Sequence, residues 1–89
     1  MYQVKLTSGA RRQLDRIQVK DLERIQEGIR KLADNPRPPR TVKLRGQIYR
    51  IRTGDWRIIY EVFDKDNLVF IVKVVRRSED TYRDLDELF

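Results

Sequence analysis

The sequence predicts an α+β domain in which two N-terminal helices pack on one face of an antiparallel meander sheet. Three observations carry that prediction. Apolar residues recur at helical spacing through the first third of the chain, and a proline cluster near residue 36 ends that period. A period of two then runs through three segments rich in β-branched and aromatic residues. Helices grouped ahead of a meander imply two layers, because each element must bury one apolar side against another. The expected order is β-α-α-β-β-β-α within a single domain spanning residues 1–89, since 89 residues carry too much surface for their volume to support two cores.

Tyr2 to Leu6 alternate in strand fashion and end at Thr7-Ser8-Gly9, where Ser8 is placed to cap a helix. Ala10, Leu14 and Ile17 mark that helix. Leu22, Ile25, Ile29 and Leu32 mark one face of a second, with Asp21 at its N-cap or first turn. Asn35-Pro36-Arg37-Pro38-Pro39 cannot continue a helix. Strands follow over Val42–Arg52, Trp56–Phe63 and Leu68–Val75, joined by a tight turn at Thr53-Gly54-Asp55 and a longer polar one at Asp64–Asn67. Tyr82 to Phe89 reads as a short amphipathic C-terminal helix.

Composition narrows the chemistry. The chain has no cysteine and no histidine, which leaves out disulfides, thiolate nucleophiles, zinc centres and serine–histidine triads, and any catalysis falls to Arg, Lys, Tyr, Asp or Glu. No metal and no cofactor is expected. No apolar run has the length of a signal peptide or a membrane span, so a cytoplasmic location is expected. A net charge of +6 fits a polyanionic partner. Between residues 40 and 57, Arg40, Lys43, Arg45, Arg50, Arg52 and Arg57 face the single acid Asp55, whereas Glu79, Asp80, Asp84, Asp86 and Glu87 outnumber Arg83 near the C-terminus.

Register gathers the cations. With Gly54 and Asp55 as the central turn residues, Arg52 opposes Arg57 and Arg50 opposes Ile59. Pairing Phe63 with Leu68 then sets Arg57 opposite Val74, and Arg76, two residues on, is expected on the same face. Like charges directly opposed destabilise a hairpin, so the cluster suggests an anion between them, and the arginine fork suits phosphate. A basic sheet face also serves plain solubility. Tyr49, Trp56, Tyr60, Phe63 and Phe70 are assigned to core or partner contacts. Tyr82, beyond a polar stretch, is placed to reach the basic face.

Leu44-Arg45-Gly46, Tyr49-Arg50-Ile51-Arg52, Gly54-Asp55-Trp56-Arg57-Ile58-Ile59-Tyr60-Glu61, Val75-Arg76-Arg77-Ser78 and Tyr82 together resemble the RelE/ParE toxin superfamily, over nearly the whole chain. The resemblance implies a toxin neutralised by a cognate antitoxin. Its RelE-like branch cleaves messenger RNA on the ribosome, its ParE-like branch inhibits gyrase without catalysis, and a degenerate toxin fold would serve as a binding module. In the RelE reading Arg57 stabilises the scissile phosphate, Arg77 by motif or Arg76 by register supplies a second cation, and Tyr82 stacks on a base or moves a proton. Lys43, Arg45, Arg50 and Arg52 bind RNA, with messenger RNA, ribosome and antitoxin as partners. Where RelE-like nucleases carry a lysine pair this chain has Arg50 and Arg52, and a guanidinium holds its protons too tightly to act as a base. Glu61 and Lys43 are further candidates for that role.

Overall fold

The structure, a computed structural model, describes residues 1–76. It is an α+β fold of five strands and two α-helices: β1 (Gln3–Leu6), α1 (Ser8–Asp15), α2 (Val19–Asp34), β2 (Val42–Arg45), β3 (Ile48–Thr53), β4 (Trp56–Phe63) and β5 (Leu68–Arg76). The strands make one sheet in the order β1-β5-β4-β3-β2. β1 runs parallel to β5, and the other pairs are antiparallel. The segment 42–52, expected as one strand, is a hairpin of two. Gly46 takes φ 53° at its turn, a left-handed conformation open to glycine, and both arms are rich enough in strand formers to read as continuous. The expected helix at Tyr82–Phe89 lies outside the described residues. No helix among those described is long and apolar enough to cross a membrane.

The helices supply the second layer. α1 is capped by Thr7, one residue before the expected Ser8: the Thr7 hydroxyl oxygen accepts from the Ala10 amide at 3.1 Å. The α2 stripe holds as read, with Ile25 and Leu32 fully buried and Leu22 and Ile29 packed against the same core. Asp21 lies in the first turn of α2, where the helix dipole favours an acid. These helices cover one face of the sheet, whose contribution to the core is Ile51, Ile58, Tyr60, Val62, Val69, Ile71 and Val74. Each such aliphatic side chain, fully buried, contributes about 1.5–3 kcal/mol.

A polar network ties the proline segment to the sheet. The buried Tyr60 donates to the Pro36 carbonyl at 2.6 Å. Arg37 forks onto Asp64 at 3.2 and 2.7 Å and donates to the Tyr49 hydroxyl at 3.1 Å, and Tyr2 donates to Asp64 at 2.7 Å. The Arg37 hydrogen bonds, and then that of Tyr2, hold the Asp64 carboxyl below the usual carboxylate range. The Tyr2 hydroxyl is pushed up by the same bond to Asp64.

β5 is irregular in one place. From Phe63 opposite Leu68 to Tyr60 opposite Ile71 the pairing with β4 is regular; the next pair is Ile59 with Lys73, and the run ends at Trp56 with Arg76. Val72 is therefore the extra residue of a bulge. Thr7, at the start of α1, and Gln13, in its last turn, satisfy the backbone there: the Val72 carbonyl accepts from the Thr7 hydroxyl at 3.2 Å, the Ile71 carbonyl from the Thr7 amide at 3.0 Å, and the Val74 amide donates to Gln13 Oε1 at 2.8 Å. Thr7 thus caps a helix and stitches a bulge with one side chain.

Candidate nucleic-acid interface

The face of the sheet turned away from the helices carries the cations, and the β3–β4 hairpin positions most of them. Thr53 pairs with Trp56 around Gly54, which sits at φ 61°, so a two-residue turn sets the register. Arg52 stands opposite Arg57 and Arg50 opposite Ile59, as the sequence predicts. Across to β5, Arg57 meets Val75 and Ile59 meets Lys73. Two rows result, Arg52–Arg57–Val75 and Arg50–Ile59–Lys73. Ile48, Ile59 and Val75 form a small buried cluster with Leu44 against them, so the cations rise from an apolar floor. Arg52 is exposed, Arg57 and Lys73 are half-buried, and Arg50 retains only 7% of its exposure. An anion meeting partly desolvated guanidinium groups is held more strongly than in open water.

The bulge corrects one expectation. Arg57 pairs with Val75 rather than Val74, and Arg76 pairs with Trp56. Arg76 therefore leaves the arginine rows and lies over the Trp56 indole at 5.2 Å from the ring centroid. The extra residue at Val72 reverses the side on which every later side chain of β5 emerges. The same reversal brings Lys73 onto the arginine face, a residue the sequence reading missed. Its signal was a lone ammonium inside an otherwise apolar strand run. Arg45 pairs with Ile48, on the arginine side, whereas Lys43 pairs with Tyr49, whose ring stacks on Tyr60 on the helix side. Glu61 shares the arginine face, between Ile48 and Phe70. Arg77 and Tyr82 lie outside the described residues.

Among the described residues no group of three or more acidic side chains converges to hold a metal ion. What the rows can do is bind phosphate: forked donors fit its oxygens, and Lys73 adds an ammonium able to transfer a proton.

Comparison with known proteins identifies the family of the chain. Residues 4–81 match the family of ParE toxins of type II toxin-antitoxin systems. An Escherichia coli protein described as a RelE-like toxin is 30% identical over 86 residues, covering 91% of this chain and 90% of that one. Among solved structures, the RelE–RelB complex of Pyrococcus horikoshii aligns with TM-score 0.79 at 30% identity, over 88% of this chain and 97% of its counterpart. The isolated E. coli RelE toxin aligns with TM-score 0.78 over 99% and 98% at 18% identity, a likeness of fold. The family match carries the ParE name, while the individual relatives are RelE toxins. The chain belongs to the RelE/ParE superfamily of type II toxin-antitoxin toxins, on its RelE-like side.

Proposed function

We propose that this toxin cleaves messenger RNA in the ribosomal A site, with the two cationic rows as its phosphate-binding surface. The observation that carries the reading is Arg52 directly opposite Arg57, flanked by Arg50 and Lys73 on one sheet face. Forked guanidinium donors gathered on one sheet face match the oxygens of adjacent phosphates. In the cleavage, a ribose 2′-oxygen bonds to the adjacent phosphorus and the bond from phosphorus to the 5′-oxygen breaks, leaving a 2′,3′-cyclic phosphate and a 5′-hydroxyl. Arg57 stabilises the charge on the phosphoryl oxygens. Arg50, Arg52 and Arg45 hold neighbouring phosphates, and Lys73 hands a proton to the departing 5′-oxygen. From the family resemblance, Arg77 adds a cation and Tyr82 stacks on a base or takes the 2′-proton. Arg76, held against Trp56, serves the margin of the site, and Lys43 a phosphate near the sheet edge. The site of action is the cytoplasm.

A cognate antitoxin is the second partner, as RelB is for the RelE proteins solved as complexes. An acidic segment over the arginine face would neutralise it. The test is cell-free translation with the purified chain, mapping message ends on stalled ribosomes beside Arg57→Ala. Cuts at A-site codons with 5′-hydroxyl ends, lost in the variant, support the reading. Intact messages and normal translation refute it and favour the ParE-like alternative, which the family match and the absence of a lysine pair would then explain, with gyrase supercoiling as the next assay.

A further inference from the structure

A second cationic surface lies around the edge of β3 from the arginine rows. β2 pairs with β3 only between Val42 opposite Arg50 and Arg45 opposite Ile48, so the Ile51–Thr53 end of β3 has no strand on that side. Ahead of Val42 the chain swings away through Pro38, Pro39 and Arg40. The space between this edge, that loop and α2 is a groove of about 890 Å³. Lys20, Arg24 and Lys31 line it from α2, Arg40 from the loop, and Arg50 and Arg52 from β3. Glu23 and Glu27 are the acids in the lining, and Glu27 is engaged by Arg30 at 3.1 Å. Lys20, Arg24, Lys31, Arg40 and Arg52 are exposed and make no ion pair among the described residues.

We propose that this groove is a second nucleic-acid site, which takes the phosphates of the RNA strand flanking the segment held on the arginine face. The inference rests on the RNA reading of that face. Two observations favour RNA backbone as the occupant. Arg50 and Arg52 belong both to the rows and to the groove, so the cationic path is continuous around β3. Arg40 is kept at φ 73°, a conformation that L side chains rarely adopt, and there it lines the groove. A peptide finds less to hold. The Thr53 hydroxyl bonds the Arg24 carbonyl at 3.3 Å, tying the open end of β3 to α2 and closing the slot for an added strand. Pro38, Pro39 and the buried Ile51 are the apolar side chains of the lining, too few to anchor an amphipathic helix.

The experiment is fluorescence anisotropy on the full chain with two labelled oligouridylates, one of about four nucleotides and one of about fourteen, spanning the ordinary range of single-strand site sizes. The variants are Lys20→Gln with Lys31→Gln, Arg40→Gly, and Arg57→Ala. The paired lysine variant should weaken the long RNA about tenfold at low salt and flatten its salt slope by about 1.4, at roughly 0.7 for each cation removed. It should leave the short RNA alone. Arg40→Gly, which suits the backbone there and therefore keeps the fold, should weaken the long RNA in the same sense, and Arg57→Ala should weaken both. Groove variants that leave the long RNA unchanged while Arg57→Ala weakens both overturn the groove and spare the arginine face. Loss in the groove variants with no effect of Arg57→Ala overturns the arginine face, and with it the shared path. Displacement of the long RNA by an oligoglutamate at equal charge, with the lysine variant weakening both ligands alike, assigns the groove to an acidic protein segment and overturns the proposal.

Discussion

Replacing Arg52 by glutamine should make the protein more stable and a poorer RNA binder. Arg52 and Arg57 are directly opposed, and opposed Cβ atoms lie about 5 Å apart, which sets their charges roughly 7 Å apart. In water two unit charges at about 7 Å repel by about 0.6 kcal/mol, and a Debye length of about 8 Å reduces this to roughly 0.25 kcal/mol. Glutamine removes that repulsion and keeps most of the side chain. For a domain of this size, where about 1 kcal/mol moves Tm by about 4–8 °C, the gain is about 1–2 °C. The gain should vanish near 1 M salt, where the Debye length is about 3 Å. Binding moves the other way. A hydrogen bond to a charged group is worth about 1.5–3 kcal/mol, so RNA affinity falls about tenfold or more, and the salt slope flattens by about 0.7. Melting curves at two salt concentrations and anisotropy titrations read both effects. A variant that melts lower at low salt, or binds RNA with the original affinity and salt slope, refutes the idea that the opposed pair is maintained for an anion.

Three further outcomes follow from the scaffold. Thr7→Val keeps the shape but removes both the α1 cap, worth about 1 kcal/mol, and the bond to the Val72 carbonyl, worth about 1 kcal/mol. It should lower stability by about 2 kcal/mol in urea titrations while Thr7→Ser stays near the original, and equal midpoints would refute the double role. Asp64 titrates lower in the fold than in the unfolded chain, chiefly because of Arg37. Its contribution is therefore present above the unfolded value and lost as pH falls through the folded one, so Asp64→Asn should flatten the acid limb of the stability profile. Tyr2, raised by its bond to Asp64, has the opposite sense. Its contribution is present below the ordinary phenol range and lost as pH rises through the raised value, so Tyr2→Phe should flatten the alkaline limb.

The arginine rows were legible where a turn determines register. Gly54-Asp55 is a two-residue connection that leaves one way to pair β3 with β4, and Arg52 opposite Arg57 follows by counting. The pairing of Phe63 with Leu68 was equally legible. Counting failed only beyond the bulge, because Leu68 to Val75 is apolar on both sides except at Lys73 and offers no alternation to reveal a slip. The groups that stabilise the slip, Thr7 and Gln13, lie some sixty residues away in sequence. The cap at Thr7 rather than Ser8 was ambiguous because both residues are competent caps. The groove depends on where Pro39-Arg40 turns, and a left-handed arginine leaves no trace in composition.

The bulge at Val72 also protects the core. Before it, the odd-numbered Val69 and Ile71 face the helices; after it, the even-numbered Val74 does. Had the odd phase continued, Lys73 would have pointed into the buried layer beneath α1, where an uncompensated ammonium costs several kcal/mol. The slip sends that charge to the side where anions are expected and restores a valine to the helices one position later. Lys73 and the bulge therefore enforce one another: the lysine makes the regular register untenable, and the bulge gives the lysine its place. An apolar residue at 73 would remove the reason for the slip, and β5 would lose its guard against sliding by one residue and bringing Arg76 round to the arginine face.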